Sequence, residues 1–391
     1  MSEDPRSVSK IGAGGRGHLA ALVRTDRDAA KRFLAELPVP QQTRAICELP
    51  AERRADALAL APDPGAVVRL MPEIDLCATA VATGPERSGW FLTHATGDQL
   101  VACFDLDGWR RLEIDEERID AWLTGLADAG DATLLRAARA FDSELLALWA
   151  RRHLEFFFRP GQDEDWEAPD DTRTLDGEYH YRPRHSDTDL ELPLRILHLL
   201  FENDQLLYLS LVHDIAAGGE VGDEEEAFRW RHGRLVDLGF PTRDEALSAY
   251  SWLDPDTSLR LPDESADWED AADPVPAMQD RPLLPFPLFD AVAALSAEER
   301  DLALVGFMQL ANKVLVAEGM SLGDPDAVRQ AMARAAELAS RGLEALSEKN
   351  GRDELSIMRH VPLEHLFRVG ANLTGANANL IPPPEPPEES S

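Results

Sequence analysis

Prolines recur at a nearly even spacing near the start of the chain and divide it into segments of one or two helical turns. They stand in the pairs Leu37-Pro38, Leu49-Pro50, Ala61-Pro62 and Met71-Pro72. Proline lacks a backbone N–H and has a fixed φ, so it suits the first turn of a helix and disfavours helix in the residue before it. Apolar residues between the prolines fall three or four positions apart, as one buried helix face requires. The spacing therefore predicts stacked short helices, none of which buries its apolar face alone.

The composition extends this prediction to the whole chain. Only 4 Tyr and 14 Phe stand beside abundant Ala, Leu, Arg and Glu, which favour helix over sheet. Amphipathic patterns and capping residues predict longer helices over residues 115–126, 132–158, 190–215, 223–234, 242–250, 288–317, 325–347 and 362–373. We therefore predict a mainly α fold, in which short helical repeats resembling a right-handed superhelix precede a second helical domain. At most a small β-hairpin is expected, around residues 178–182.

Breaks in the helical pattern predict the domain organisation. Arg159-Pro160-Gly161 ends the first helical block, and a charged stretch rich in turn formers follows it. The predicted parts are a flexible arm at 1–17, a helical-repeat domain at 18–160, an acidic linker at 161–189, a second helical domain at 190–376 with a Pro- and Asp-rich loop at 254–287, and a disordered tail at 377–391.

The charge of the chain limits its partners and its compartment. With 72 acidic against 39 basic residues, the formal net charge of −33 disfavours nucleic acid and anionic membrane surfaces. The N-terminal residues lack the apolar core of a signal peptide, and no apolar run is long enough to span a bilayer. The cysteines Cys47, Cys77 and Cys103 show neither disulfide nor zinc-ligand spacing. These features predict a cytoplasmic protein without membrane insertion or a nucleic-acid partner.

Two glycine-containing motifs resemble catalytic or cofactor-binding sequences. Gly12, Gly14 and Gly17 match the GxGxxG dinucleotide pattern, but no strand is predicted before them, so we interpret them as a lead-in to the first helix. Gly319-Met-Ser321-Leu-Gly323 matches the GxSxG nucleophile elbow, and acids and histidines follow in hydrolase order at Asp353 and His360 or His365. The elbow needs a strand before the serine, whereas helix is predicted there. A serine hydrolase using Ser321 stays as a third hypothesis.

Histidines and carboxylates near the middle of the chain are candidate metal ligands. His198 and Glu202 lie one helical turn apart, and His213-Asp214 follow in the same apolar block. Neither HExxH nor a repeated ExxH occurs, so hydrogen-bonded packing histidines are the favoured interpretation. No metal site and no cofactor are predicted.

One basic and aromatic cluster stands out in this acidic chain. It comprises Arg229, Trp230, Arg231, His232 and Arg234. Guanidinium groups bind carboxylates or phosphates in a planar fork, so the cluster is a candidate interaction site. The alternative, which we favour, is that Trp230 packs while the arginines complement the negative end of their helix and pair with acids such as Glu225 and Glu226.

Four blocks of the sequence together resemble a known family. They are FDLDGW at 104–109, FRWRHGRLVDLGFP at 228–241, LANKVLVAEG at 310–319 and VPLEHLFRVG at 361–370. The chain resembles on these blocks a bacterial family known only as a domain of unknown function, number 6178. The resemblance implies a mostly helical fold and no particular activity. The proline-divided region also resembles the helical repeats of the N domain of the MgtE magnesium transporter and of the flagellar motor protein FliG.

These observations favour a non-enzymatic protein of the bacterial cytoplasm that interacts with, regulates or scaffolds an unidentified protein partner. The second hypothesis is a divalent-cation-responsive module with weak cation binding, because the charge excess accompanies a resemblance to a magnesium transporter. In that transporter acidic residues help to sense magnesium, but the resemblance assigns no ligand to any residue of this chain.

Overall fold

A computed structural model describes residues 16–111, 113–158, 166–185, 190–217, 220–254, 259–261 and 285–382. The contacts divide the chain into two compact units, Met1–Arg234 and Leu235–Ser391. Every described helix is too short or too polar to cross a membrane. The mainly α prediction is confirmed. The units meet at residues 234/235, whereas the predicted linker spans residues 161–189, and the described part of that segment lies in the first unit.

The first unit is built from short helices. Their bounds are α1 Arg16–Thr25, α2 Arg27–Ala35, α3 Val39–Cys47, α4 Ala51–Leu58, α5 Pro64–Leu70, α6 Glu73–Thr83, α7 Gly89–Leu92, α8 Gly97–Asp107, α9 Glu116–Asp128, α10 Asp131–Ala140, α11 Ser143–His153, α12 Glu191–Asn203, α13 Gln205–Ala217 and α14 Glu220–Asp237, the last of which runs three residues into the second unit.

The prolines mark helix starts as predicted, with one exception. Pro38, Pro50 and Pro72 occupy the N-cap positions of α3, α4 and α6. The third helix start was predicted at Pro62, but α5 begins at Pro64. The reason is Asp63, whose carboxylate accepts the Ala66 N–H at 2.9 Å and caps the helix there.

The helix predicted over residues 132–158 is wrong in length and in its last part. It breaks at Phe141 into α10 and α11, and Leu154–Phe158 forms strand β3. The aromatic run FFF has a higher propensity for strand than for helix. The predicted helices over 190–215 and 288–317 also each divide in two, where Asp204 and Ser296 accept backbone N–H groups at 3.3 Å and cap α13 and α17.

Five short strands form two antiparallel sheets in the part of the first unit that the structure describes. Strands β1 Trp109–Arg110 and β2 Glu113–Ile114 pair with each other. The second sheet has the order β3-β5-β4, with β4 Arg173–Thr174 and β5 Tyr179–Pro183. Strand β5 confirms the predicted strand at residues 178–182. The sheet packs on α13, which contacts β3.

The described part of the second unit has two long helices and four shorter ones. Their bounds are α15 Arg243–Ser248, α16 Pro287–Ala293, α17 Ala297–Ala317, α18 Pro325–Asn350, α19 Glu354–His360 and α20 Leu363–Thr374. The most extensive packing in this unit joins α18 to α20. Their backbones approach closely at two glycines, because a Cβ on Gly342 would lie 1.9 Å from the Leu366 carbonyl oxygen and a Cβ on Gly370 would lie 1.9 Å from that of Leu338.

Candidate interaction site on helix α14

The buried end of α8 provides two carboxylates to the first unit. Asp105 is 2% exposed and Asp107 is 3% exposed. Asp107 accepts hydrogen bonds from Arg118 Nε at 2.9 Å and Trp122 Nε1 at 2.8 Å. Its hydrogen-bond partners therefore come from α9, the next helix along the chain. The partners of Asp105 come from far along the chain, on α14.

Arg234 on α14 binds two carboxylates at once, those of Asp105 and Asp142. Its Nε and Nη2 donate to the two carboxylate oxygens of Asp105 at 2.6 and 2.9 Å. Its Nη1 and Nη2 donate to the two oxygens of Asp142, before α11, at 3.1 and 2.7 Å. This double fork joins α8, α14 and the start of α11, and it uses the planar guanidinium in the way that only arginine allows.

Arg231 lies one turn earlier and is buried, with 8% of its surface exposed. Its Nε donates to the Asp105 carbonyl oxygen at 2.7 Å, and its guanidinium lies 5.1 Å from the centre of the Trp109 ring. Phe228 packs edge-on against the same Trp109 ring at 6.3 Å. The face of α14 that carries Phe228, Arg231 and Arg234 is therefore fixed against α8 and β1.

Burial and ion pairing shift the pKa values of these groups in opposite directions. Burial raises the pKa of the Asp105 carboxyl, and the hydrogen bonds and charge of Arg234 offset this only in part. Burial lowers the pKa of Arg234, but hydrogen bonds to Asp105 and Asp142 outweigh it and the net direction is upward. We take the pair as ionised, because Arg234 donates to both oxygens of Asp105. Burial also lowers the pKa of Arg231 to about 10, against the charge of Asp105.

The other residues of the cluster face solvent or their own helix. Trp230 is 57% exposed, so the interpretation that it packs is wrong. Arg229 lies 3.7 Å from Glu225, as predicted for the spacing of one turn, and both side chains are more than two-thirds exposed. His232 stacks on Phe228 with ring centres 6.1 Å apart. The structure thus divides the cluster into an anchor, made of the buried Arg231 and the partly buried Arg234, and an exposed pair, Arg229 and Trp230.

The four sequence blocks meet in pairs, one pair in each unit. Arg231 and Arg234 join the block at 228–241 to the block at 104–109. In the second unit, Lys313 Nζ of the block at 310–319 lies 2.5 Å from Glu364 of the block at 361–370, and Glu364 also binds Arg368 at 2.7 Å. The blocks are therefore the contact points of helices that lie far apart in sequence.

The comparison with known families agrees with these blocks. The profile of a family of unknown function, DUF6178, matches residues 31–376 and so covers most of the chain. The chain belongs to DUF6178. No curated protein and no solved structure matches it, so the resemblance to the MgtE N domain and to FliG gains no support from these comparisons.

The elbow-like motif of this DUF6178 chain is a helix end followed by a turn. Helix α17 precedes it, and Gly319 takes a left-handed φ of 65° directly after that helix. The Met320 N–H bonds the Leu315 carbonyl oxygen at 3.0 Å, which is the six-to-one bond of a glycine-ended helix. The first glycine of GxSxG thus ends a helix, and Ser321 lies in the connection to α18, whereas the elbow requires a strand before the serine.

The remaining candidate residues have packing partners in this DUF6178 member. His198 Nδ1 lies 2.7 Å from the Leu194 carbonyl oxygen one turn back, and His213 Nδ1 lies 3.2 Å from the Tyr179 hydroxyl. Among the described residues, no three His, Cys, Asp or Glu side chains are placed to hold a metal ion. Gly12 and Gly14 lie outside the described residues, and Gly17 is in the first turn of α1.

Sequence reasoning found the α14 cluster but missed its partners. Asp142 fell inside the helix predicted over residues 132–158 and no helix was predicted around Asp105, so the arginines were assigned to the acids nearest in sequence, Glu225 and Glu226. One signal in the sequence could have identified these partners. The block FDLDGW combines acidic with aromatic residues and the block FRWRHGR combines basic with aromatic residues. Because a buried charge is costly without a partner of opposite charge, the two blocks could have been expected to pair.

Proposed function

We propose that this DUF6178 chain is a non-enzymatic protein-interaction module whose docking residues include Trp230 and Arg229. The observation that carries the proposal is the exposure of Trp230, 57%, on a helix whose adjacent face is held by a buried arginine and a double ion pair. A large exposed indole on a fixed helix loses little conformational entropy when a partner covers it. Tryptophan and arginine are also the residues enriched at the energetic centres of interfaces.

The charge of the chain supports a protein partner over other classes. A net charge of −33 repels nucleic acid and anionic membranes. Next to Trp230, Arg229 offers a largely exposed guanidinium whose pairing with Glu225, at 3.7 Å, is loose. Gly233 lies one turn further on, and a Cβ there would meet no atom within 4 Å. This face therefore fits a partner with an apolar pocket for the indole and a carboxylate beside it.

A photo-crosslinking amino acid at position 230 tests the proposal in native cells. The matched control places the same amino acid at position 90, because Trp90 is also exposed, at 44%, and lines an open groove in the same unit. We expect one partner to be crosslinked through position 230 and not through position 90. That partner is then purified and titrated against the wild type and against the Trp230→Ala and Trp90→Ala variants.

Trp230→Ala should weaken binding by about tenfold or more, because truncating a central interface tryptophan costs about 2 kcal/mol or more. Trp90→Ala should change the dissociation constant by less than about twofold, since side chains outside an interface contribute little. Equal effects of the two variants, or crosslinks that form equally from both positions, would refute the assignment of the docking face to α14. Circular dichroism of both variants checks that the helices persist.

A further inference from the structure

The sheet β3-β5-β4 ends at β3, which among the described residues pairs with β5 alone. The five residues of β3 read Leu-Glu-Phe-Phe-Phe, with no proline and one charge. Proteins usually protect a strand of this kind, because its unpaired backbone groups can bind another strand.

The register identifies the backbone groups on the outer side of β3. The Arg184 N–H donates to the His153 carbonyl oxygen at 2.9 Å, so every second residue from His153 onward faces β5. Glu155 and Phe157 are therefore the residues of β3 that hydrogen-bond with β5, opposite Arg182 and His180. Phe156 and Phe158 alternate with them, and their N–H and C=O groups point to the outer side of the strand.

The side chains of β3 also divide between two faces. Phe156 and Phe158 lie over Tyr181 and Tyr179 with ring centres 5.7 and 6.1 Å apart. Tyr179 also contacts His213, which places α13 on this face. Phe158 is 38% exposed, and two exposed apolar residues, Leu206 at 83% and Leu209 at 41%, precede His213 on α13 by two helical turns and one helical turn. An added strand would therefore meet apolar groups on the α13 side.

The opposite face already accommodates a cation. Arg182 Nη2 lies 2.8 Å from the Glu155 carboxylate, and its guanidinium carbon lies 4.9 Å from the centre of the Phe157 ring. Both side chains of that ion pair are at least 40% exposed. A basic side chain on a neighbouring strand would find the same carboxylate and an aromatic ring beside it.

The surrounding charge decides which kind of strand fits. The described residues around β4 and β5, 166–185, contain five acidic and three basic residues. A second copy of this chain would bring the same excess and a net charge of −33, so self-pairing is disfavoured. A strand with basic side chains is instead attracted by this negative charge.

We propose that the outer edge of β3 binds a basic, extended segment of another protein as a fourth strand of the sheet. The segment alternates basic side chains, toward Glu155 and Phe157, with apolar side chains on the α13 face. Main-chain hydrogen bonds to Phe156 and Phe158 hold the segment, and the alternating side chains select it. This site is independent of Trp230, and either proposal can fail without the other.

A fluorescein-labelled heptapeptide of alternating lysine and valine, titrated against the full chain, tests the edge. The same peptide with its central valine replaced by proline is the control for unspecific attraction to an acidic protein, because it keeps the charge and cannot continue a strand. We expect saturable binding of the alternating peptide at physiological salt, and binding weaker by about tenfold or more for the proline peptide. Hydrogen exchange should slow at the Phe156 and Phe158 amides.

Two substitutions at one exposed position test the role of charge. Phe158→Lys and Phe158→Glu remove the same ring, so any difference between them reports the sign of the charge. The lysine variant should bind the alternating peptide more weakly than the glutamate variant, because its charge repels the net positive charge of the peptide, although position 158 faces the valines and the peptide lysines lie on the opposite face. Leu373→Lys, at a side chain 54% exposed in the second unit, is the charge-matched control and should bind like the wild type. Equal binding of the proline peptide, equal effects of the three variants, or a dimer that protects the β3 amides without peptide would overturn the proposal.

Discussion

At the scale of single residues, Arg234 shows how an acidic chain uses its few bases. Its guanidinium is about two-thirds buried between Asp105 and Asp142, and the side chain of Asp105 is 3% exposed. A carboxylate so buried is costly to keep charged without a partner. The position of Arg234 is therefore set by acids that lie far away in sequence.

Replacement of Arg234 by alanine should destabilise the chain by about 3 kcal/mol in urea unfolding, because it leaves the Asp105 carboxylate buried and unpaired. Arg229→Ala is the matched control on the same helix. It should change stability by less than about 0.5 kcal/mol, since its ion pair is exposed. The double variant Asp105→Asn with Arg234→Ala should lose less than the sum of its single variants. Additive losses would show that the fork does not stabilise Asp105.

The sequence predicted the cluster as a group but not the orientation of its members. Spacing alone places Arg231 and Arg234 one turn apart, and it also gives the loose pair of Arg229 with Glu225, which the structure confirms. The direction in which Trp230 points depends on which helix face meets α8. That contact joins residues 129 positions apart, as in the Arg234 bond to Asp105, and local rules do not reach it.

At the scale of elements, the prolines predicted helix starts well because their effect is local. Pro38, Pro50 and Pro72 each stand at an N-cap. Strand β3 was missed because Leu154–Phe158 continues an apolar helical pattern without a turn former, and pairing with β5 decides its conformation. Amphipathic periodicity thus sets helix content, whereas long-range pairing sets where helix gives way to strand.

The crossing of α18 and α20 depends on two glycines, and Gly342→Ala tests it. The added methyl group would lie 1.9 Å from the Leu366 carbonyl oxygen, so the helices must separate. Overpacking of this kind costs about 1–3 kcal/mol or more, and the crossing backbone cannot turn away as a flexible side chain could. We expect a clear net loss in urea unfolding, although alanine favours helix by about 1 kcal/mol.

Gly233→Ala is the matched control, because it is also a glycine within a helix and its Cβ would enter open space. There the helix propensity acts alone, so stability should rise by up to about 1 kcal/mol. Opposite signs for the two variants would assign the loss at Gly342 to the close approach of the backbones. A gain at both positions would contradict the tight crossing.

At the scale of the whole molecule, the excess of 33 acidic groups governs the response to salt. Even if every base were paired with an acid, that excess would remain and repel itself across the folded surface. The Debye length falls from about 30 Å at 0.01 M to about 8 Å at 0.15 M ionic strength, so added salt screens this repulsion. The paired arginines lose some attraction too, but the buried fork of Arg234 is screened less than the exposed carboxylates.

We therefore expect the melting temperature to rise by several degrees when sodium chloride increases from about 0.01 M to about 0.15 M ionic strength. Potassium chloride should give the same rise, because screening depends on ionic strength and not on the identity of the cation. Magnesium chloride at equal ionic strength separates screening from a specific cation response. A larger rise with magnesium that keeps growing with the logarithm of its concentration would favour the divalent-cation hypothesis, because a ligand that binds only the folded state stabilises it by RT ln(1 + [L]/Kd). A melting temperature that falls with sodium chloride would mean that surface ion pairs outweigh the repulsion, and the net charge would then not limit the stability of this fold.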